Sequence, residues 1–405
     1  MNEFSQITKC EVCGSCDLLP VLDLGNHPMC DDLIPVGSDQ HCEVFPIEIL
    51  YCQQCYTAHQ KYQVPKERLF PQTYHYRSRF TADVLAGMSA LVDSVESQIG
   101  KLTDLIVLDV GCNDGSLLDK FAAKGAKTIG LEPTGAYIDA LGRGHVVIND
   151  FFSEASAKNI LKSFSHIDVI TFTNVFAHIE DLEALLRALL HLMSDETVLV
   201  VENHYLGAVL EKNQFDTFYH EHPRTYSLNS FVHIARTLGR VVSAVEFPSR
   251  YGGNVRVTIG KLGAGNLQPA GLIKQTLERE AGFVKEFAEM RSFIVEWKQQ
   301  RKAEILTLVK ARGRILAKAF PGRAAILVEL LELSEDAIEC VYEKPGSLKI
   351  GFYVPGTRIP IRSDEEMFSR FENINEILNL AWHIPNEIES YLRENGYKGR
   401  IVHVV

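Results

Sequence analysis

No stretch of this 405-residue chain stays apolar for the roughly 18 residues that a membrane-spanning helix needs, so an ordinary transmembrane protein is excluded. The opening residues, MNEFSQITKCEVCG, lack a basic segment followed by an apolar one. No secretory signal is therefore expected, and the expected compartment is the cytoplasm. Positive charge is also scarce: 41 Lys and Arg stand against 52 Asp and Glu, for a net charge of −11. A nucleic-acid binder would carry a basic stripe interleaved with aromatics, and none is present. The acidic balance favours solubility without pointing to a partner. There is no repeat at solenoid period and no low-complexity tract. No membrane and no nucleic acid are expected as partners, and the chain is expected to be a monomer or small homo-oligomer.

What is present is ordinary for a globular protein: 46% hydrophobic and 23% charged residues. The length exceeds one compact core and predicts two or three domains. The first segment is short-stepped, turn-rich and cysteine-rich. From about residue 80 to 260, apolar runs alternate with helical stretches. IVLDVG, KTIGLEP, HVVIND, DVITFTN and TVLVVEN each read as a buried strand. Strands separated by helices imply a mostly parallel sheet covered on both faces. A helical stretch with a solvated face is expected from Pro269 to Ala319. After it, AAILVEL, AIECVY and IVHVV read as strands of a second small α/β unit. The expected division is 1–75, 76–262 and 263–405.

Seven of the nine cysteines fall before residue 56. Cys10 and Cys13 form one C-x-x-C pair, and Cys52 and Cys55 form another. Each pair can grip one edge of a tetrahedral zinc, and four thiolates close the site, which makes it structural. A segment this small can hardly build its own core, so metal supplies the missing folding energy. Cys16 extends the first motif and could replace one ligand. Cys30 and Cys42 read as small buried hydrophobes or idle thiols.

VLDVGCNDGSLL, Val107 to Leu118, runs from a strand through a glycine-rich turn into a helix. The spacing is G-x-N-x-G, so the G-x-G-x-x-G dinucleotide fingerprint is absent. Gly111 and Gly115 let the backbone approach a ligand closely. Asp109 and Asp114 would repel a pyrophosphate, and Asn113 sits between the glycines. A ligand with a positive charge and an amino-acid end suits the turn better. Glu132, at the end of the next strand, can accept hydrogen bonds from ribose hydroxyls. Asp150 and Phe151 follow the third strand, placed to bond and stack an adenine, and Asn174 ends the fourth. In that order on successive strand ends, these residues resemble a class I S-adenosylmethionine-dependent methyltransferase, with a Rossmann-like α/β core.

FYHEH, Phe218 to His222, admits three readings: a metal clip, an acid–base site or a polar loop. Together with the paired C-x-x-C motifs, NVFAHI-x-D (Asn174 to Asp181) and QFDTFYHEHPRTYS (Gln214 to Ser227), it resembles the nucleotide-sugar C-methyltransferases over nearly the whole chain. RYGGN-x-R (Arg250 to Arg256), LGNHP (Leu24 to Pro28) and YHYRS (Tyr74 to Ser78) add to the likeness. The resemblance implies transfer of a methyl group to a carbon, C3 by expectation, of a nucleoside-diphosphate-linked 4-keto-6-deoxysugar, dTDP- or GDP-linked. It implies His222 as the base that takes the C3 proton and Tyr219 as a donor near the enolate oxygen. Glu221 would orient a histidine or bind a sugar hydroxyl, His178 would face the sugar, and Tyr76 would contact sugar or relay a proton. His220 could simply be structural. The chemistry asks for such groups, because carbon attacks a sulfonium methyl only once it carries negative charge.

The likeness weakens in RILAKAFPGRAAILVELLEL, where the family's small-residue turn is replaced by FPGR, Phe320 to Arg323; LKIGFYVPGTRIPI, Leu348 to Ile361, agrees better. Two other functions stay open on the sequence: methylation of a sugar oxygen or nitrogen, and a non-catalytic sugar-nucleotide-binding protein.

Overall fold

The computed structural model describes residues 4–70, 77–80, 82–260 and 270–405. The chain divides into two compact units. The first comprises Met1–Pro20, Leu50–Glu211 and Glu221–Val284. The second comprises Val21–Ile49, Lys212–His220 and Lys285–Val405.

The apolar runs of the first unit form a seven-stranded sheet. Its strands are β1 (Ile106–Val110), β2 (Lys127–Leu131), β3 (Val146–Ile148), β4 (Val169–Thr173), β5 (Val198–His204), β6 (Val241–Glu246) and β7 (Asn254–Gly260). Across the sheet the order is β3-β2-β1-β4-β5-β7-β6. The β1–β2, β2–β3, β1–β4 and β4–β5 pairs are parallel, and β7 runs antiparallel between β5 and β6. Helix α1 (Ala82–Ile99) sets Val84, Met88, Leu91, Val92 and Val95 on one stripe at i, i+4, i+7, i+8 and i+11. That stripe packs with Leu117 and Phe121 of α2 (Ser116–Ala123) against Val107, Val169 and Val200 of the sheet. Side chains alternate along a strand, so Phe172 faces the opposite way from Val169. There it meets the rings of Phe152 and Phe176, and Phe176 in turn touches Tyr226 and Phe231. Each such buried side chain contributes about 1.5–3 kcal/mol of burial. The Asp181 carboxylate caps α3 (Leu182–Leu192) by accepting from Ala184 N at 2.9 Å. Ser227 and Ser230 form a reciprocal capping pair at the start of α4 (Leu228–Thr237).

The second unit carries five strands: β8 (Ile315–Lys318), β9 (Ile338–Glu343), β10 (Ile361–Ser363), β11 (Glu376–Asn379) and β12 (Arg400–His403). All pairs are parallel, in the order β10-β9-β8-β11-β12, a doubly wound arrangement. The expected strand AAILVEL is a helix, Ala324–Leu330. Its first five residues are all buried, so the run has no apolar–polar period to distinguish helix from strand. The Pro321-Gly322-Arg323 turn decides: Pro321 O accepts from Ala324 N at 2.7 Å, which begins the helix. The helical stretch expected over Pro269–Ala319 is two helices, Ala270–Glu280 and Phe283–Arg312, broken at Gly282, and it ends before Ile315, where β8 begins.

The same FPGR turn has a second role within this unit. Arg323, nearly buried, donates from Nε to Asp216 Oδ2 at 2.9 Å and reaches Thr217 and Gln214. Trp382 Nε1 donates to the same Asp216 oxygen at 3.0 Å. The segment leading into FYHEH is thereby clamped by Arg323 and Trp382 of the same unit.

Candidate active site and metal centre

In the first unit the sulfurs of Cys10, Cys13, Cys52 and Cys55 all lie within 4.8 Å of one another. Cys10 and Cys55 are 3.3 Å apart, and Cys13 and Cys52 are 3.5 Å apart. Thiolates at about 2.3 Å from one tetrahedral zinc stand about 3.8 Å from each other, so the cluster fits the ion. The two knuckles share one backbone form. Gly14 N donates to Cys10 O and Tyr56 N to Cys52 O, each at 2.8 Å, and Gly14 (φ 77°) and Tyr56 (φ 60°) are both left-handed. Four thiols this close resist ionising together. A divalent cation reverses that balance. Among the described residues this is the one group of His, Cys, Asp or Glu able to hold a metal. FYHEH is therefore not a metal clip within that set. Cys16 is exposed and outside the cluster, while Cys30 and Cys42 lie in the other unit.

The glycine-rich turn follows β1. Gly111 has φ 72°, and a Cβ there would sit 2.5 Å from a Val175 methyl, so the position excludes side chains twice over. Gly115, with φ 79°, starts α2. Asp109 is buried and accepts from Thr171 Oγ1 at 2.7 Å; burial above all pushes its carboxyl up to about 7. Asp114 is spent on local structure, accepting from Ser116 and from Arg79 N. Asn113 (φ 50°) donates its N–H to Glu132 Oε2 at 3.0 Å, and its side-chain oxygen accepts from Ser78 N. Glu132 Oε1 accepts from Thr134 N and Oγ1, so the carboxylate is fixed in place. Burial raises it above the usual carboxylate range, and Oε2 keeps capacity for a ligand hydroxyl. Asp150 and Phe151 follow β3; Asp150 is exposed and Phe151 half-buried beneath the Lys66 ammonium. Asn174, left-handed at φ 54°, ends β4, with its N–H on Glu202 O at 2.7 Å. These residues all gather at the carboxyl ends of β1 to β4, where open α/β sheets bind ligands.

Beyond Asn174 the chain makes one short turn, Phe176–His178. His178 Nδ1–H donates to Glu221 O at 2.7 Å, which leaves Nε2 as the acceptor of the neutral ring. Burial holds this imidazole down at about 4. The His222 ring lies 4.8 Å from His178 and 5.3 Å from His204, centroid to centroid. His204, at the end of β5, was not expected from the sequence. Glu221 and His222 are both buried. Tyr219 and His220 belong to the second unit. There Tyr219 is half-buried and His220 donates from Nε2 to Phe45 O at 3.1 Å. Tyr76 lies outside the described residues.

Sequence reading also missed a buried charge cluster beside Asn174. Glu202 on β5 pairs with Arg256 Nε at 2.8 Å and Arg250 Nη1 at 3.2 Å. Asn254 donates to both Glu202 and Asn174. The R-Y-G-G-N-x-R motif was visible; the cross-strand carboxylate that answers it was not.

A sheet of this order, with its seventh strand reversed and a buried acid ending the second strand, defines a class I S-adenosylmethionine-dependent methyltransferase. Three family models match in succession: a zinc binding domain over residues 10–70, a methyltransferase domain over 75–244 and a C-methyltransferase C-terminal domain over 249–405. The C-methyltransferase NovU of Streptomyces niveus is 28% identical, with 98% of this chain and 95% of that protein covered. Among solved structures, magnesium protoporphyrin IX methyltransferase from Synechocystis PCC 6803 with bound SAH is 16% identical over 44% of this chain and 84% of that one, with a TM-score of 0.35. A SAM dependent methyltransferase from Archaeoglobus fulgidus is 17% identical over 44% and 94%, also at 0.35. The protein is an S-adenosylmethionine-dependent C-methyltransferase with a structural zinc site.

Proposed function

We propose that the enzyme methylates C3 of a nucleoside-diphosphate-linked 4-keto-6-deoxysugar, in the making of a branched deoxysugar. S-adenosylmethionine, when bound, supplies an electrophilic methyl on a sulfonium. The residues that would hold it are Asp109, the Gly111–Gly115 turn, Glu132, Asp150, Phe151 and Asn174. The remaining task falls to the acceptor carbon, which has to become a nucleophile. His222 takes the C3 proton, and the C–H electron pair passes into an enolate conjugated with the C4 oxygen. C3 then forms the new C–C bond as the sulfonium C–S bond breaks, and the electron pair of that bond stays on sulfur. His178, neutral at working pH, presents an acceptor nitrogen to a substrate hydroxyl, and the Glu221 carbonyl keeps it in that tautomer. Tyr219 is the donor to the enolate oxygen. Glu221 and Tyr76 are assigned to sugar contacts.

The observation that carries this reading is the group of three imidazoles, buried His222 with half-buried His178 and His204, around the residues that follow β4 and β5. A C-methyltransferase needs a base matched to neutral pH, and imidazole is that base. The C-methyltransferase C-terminal domain weighs against transfer to oxygen or nitrogen. The test is mass spectrometry of products from a panel of dTDP- and GDP-linked 4-keto-6-deoxysugars. Methyl on carbon in at least one supports the reading; methyl on oxygen alone, or no product from any, overturns it.

A further inference from the structure

Both zinc knuckles end on the stretch of chain that directly follows His222. Glu11 lies between the ligands Cys10 and Cys13, and its Oε2 is 2.7 Å from Arg224 Nη1. Arg224 is fully buried and pairs across a short antiparallel ladder with His59. Its Nε donates to the Tyr226 hydroxyl at 3.0 Å. Both of its terminal nitrogens donate to Glu180 O at 3.2 Å. Glu180 lies two residues beyond His178, and Arg224 two residues beyond His222. One guanidinium therefore ties together the two turns that carry these histidines, and a carboxylate of the first knuckle holds it. The second knuckle grips the next few residues. Cys55 O accepts from Ser227 Oγ at 3.2 Å and Ser230 Oγ at 3.3 Å, and Thr57 Oγ1 donates to Ser230 Oγ at 2.7 Å.

A zinc module that only completed its own fold would not need to aim a half-buried carboxylate at a fully buried arginine of another element. An unpaired buried charge is costly, and Glu11, itself steadied by Gln63 at 2.8 Å, is the carboxylate that answers the buried Arg224. We propose that Arg224, anchored by Glu11, is a positioning residue that sets His178 against His222, and that the zinc module thereby governs the geometry of proton removal. The role given to these histidines rests on the sugar C-methylation reading; the geometry does not.

The test uses the full-length zinc-loaded protein and three variants, Arg224→Met, Arg224→Lys and Glu11→Gln. Four quantities are read: zinc per chain, affinity for S-adenosylmethionine by calorimetry, the ¹⁵N NMR signature of the His178 ring, and kcat against KM. Arg224→Met is expected to keep its zinc and to bind the donor within about twofold of wild type. Its kcat falls at least about tenfold with little change in KM. The His178 signal shifts from the Nδ1-protonated form towards a tautomer mixture. Arg224→Lys, which keeps the charge, recovers part of both losses. A zinc-loaded Arg224→Met with an unchanged His178 signature and wild-type kcat overturns the proposal. Should Arg224→Met fail to fold, Glu11→Gln decides by the same two readings, since it leaves the arginine in place and preserves side-chain volume. If even the wild type turns over no 4-keto sugar, the functional reading fails while the His178 signature still decides the positioning role.

Discussion

His222 sits among two other imidazoles, and what separates their tasks is environment. His178 has a backbone carbonyl on Nδ1, and against that bond the desolvation of its half-buried ring holds it down at about 4. Histidine in an unfolded chain titrates near 6.5, so between these values the unfolded state binds the extra proton. The contribution of His178 to stability therefore declines as pH falls through that window, by up to ~1.4 kcal/mol per pH unit. A ¹⁵N titration should find His178 still neutral at pH 5.5; a midpoint at or above 6.5 would remove its assignment as a neutral acceptor. Replacing His222 by Asn is expected to lower kcat by roughly 10²–10⁴-fold, the usual worth of a positioned base. Calorimetry should show S-adenosylmethionine binding unchanged in that variant. Wild-type turnover there would place the base elsewhere. At this scale much of the site was legible. Asp109, Glu132 and Asn174 could be read because strand ends announce themselves in sequence. His204 could not, because its neighbour across the site is eighteen residues on and the spacing carries no periodic signal.

Elements were legible where their pattern had a period or a boundary. The strands of the first unit ended in Gly, Asn, Asp or Glu-Pro, and α1 had its apolar stripe. AAILVEL had neither, and the turn before it made the run a helix. What no local pattern encodes is pairing between elements. The Glu202–Arg256 pair, set opposite each other on β5 and β7, depends on strand order. Glu202→Gln keeps the shape and leaves Arg250 buried against a neutral group, while Arg256 keeps the Glu246 carboxylate at 2.6 Å. Removing one partner of such a cluster costs about 3–5 kcal/mol, so urea unfolding should show a loss of that order. A change below ~1 kcal/mol would mean the arginines find other partners. The turn after β1 allows a second check. Gly111→Ala has to hold a left-handed backbone, at about 1–2 kcal/mol, and also displace Val175. Lower stability and weaker donor binding are expected together; unchanged donor affinity would mean the turn does not contact the donor.

At the scale of the whole molecule, the zinc module was the part most fully legible, because four thiolates at paired spacing state a chemical demand that survives any fold. What the spacing could not state is where the module docks, since Glu11 and Arg224 are linked by no sequence proximity. Metal analysis should find about one zinc per chain. Strong chelation should release it with four newly reactive thiols and a lower melting temperature, because binding energy at such sites is folding energy. A metal-free protein of undiminished stability would contradict this.

The central claim is that His222 removes a proton from carbon. Its most direct test is solvent exchange: a 4-keto-6-deoxysugar nucleotide is incubated in D₂O with enzyme and S-adenosylhomocysteine, so that deprotonation can occur without transfer, and the C3 proton is followed by NMR. The account predicts that wild-type enzyme washes deuterium into C3 and that His222→Asn does not. Exchange at the same rate in both proteins would contradict it.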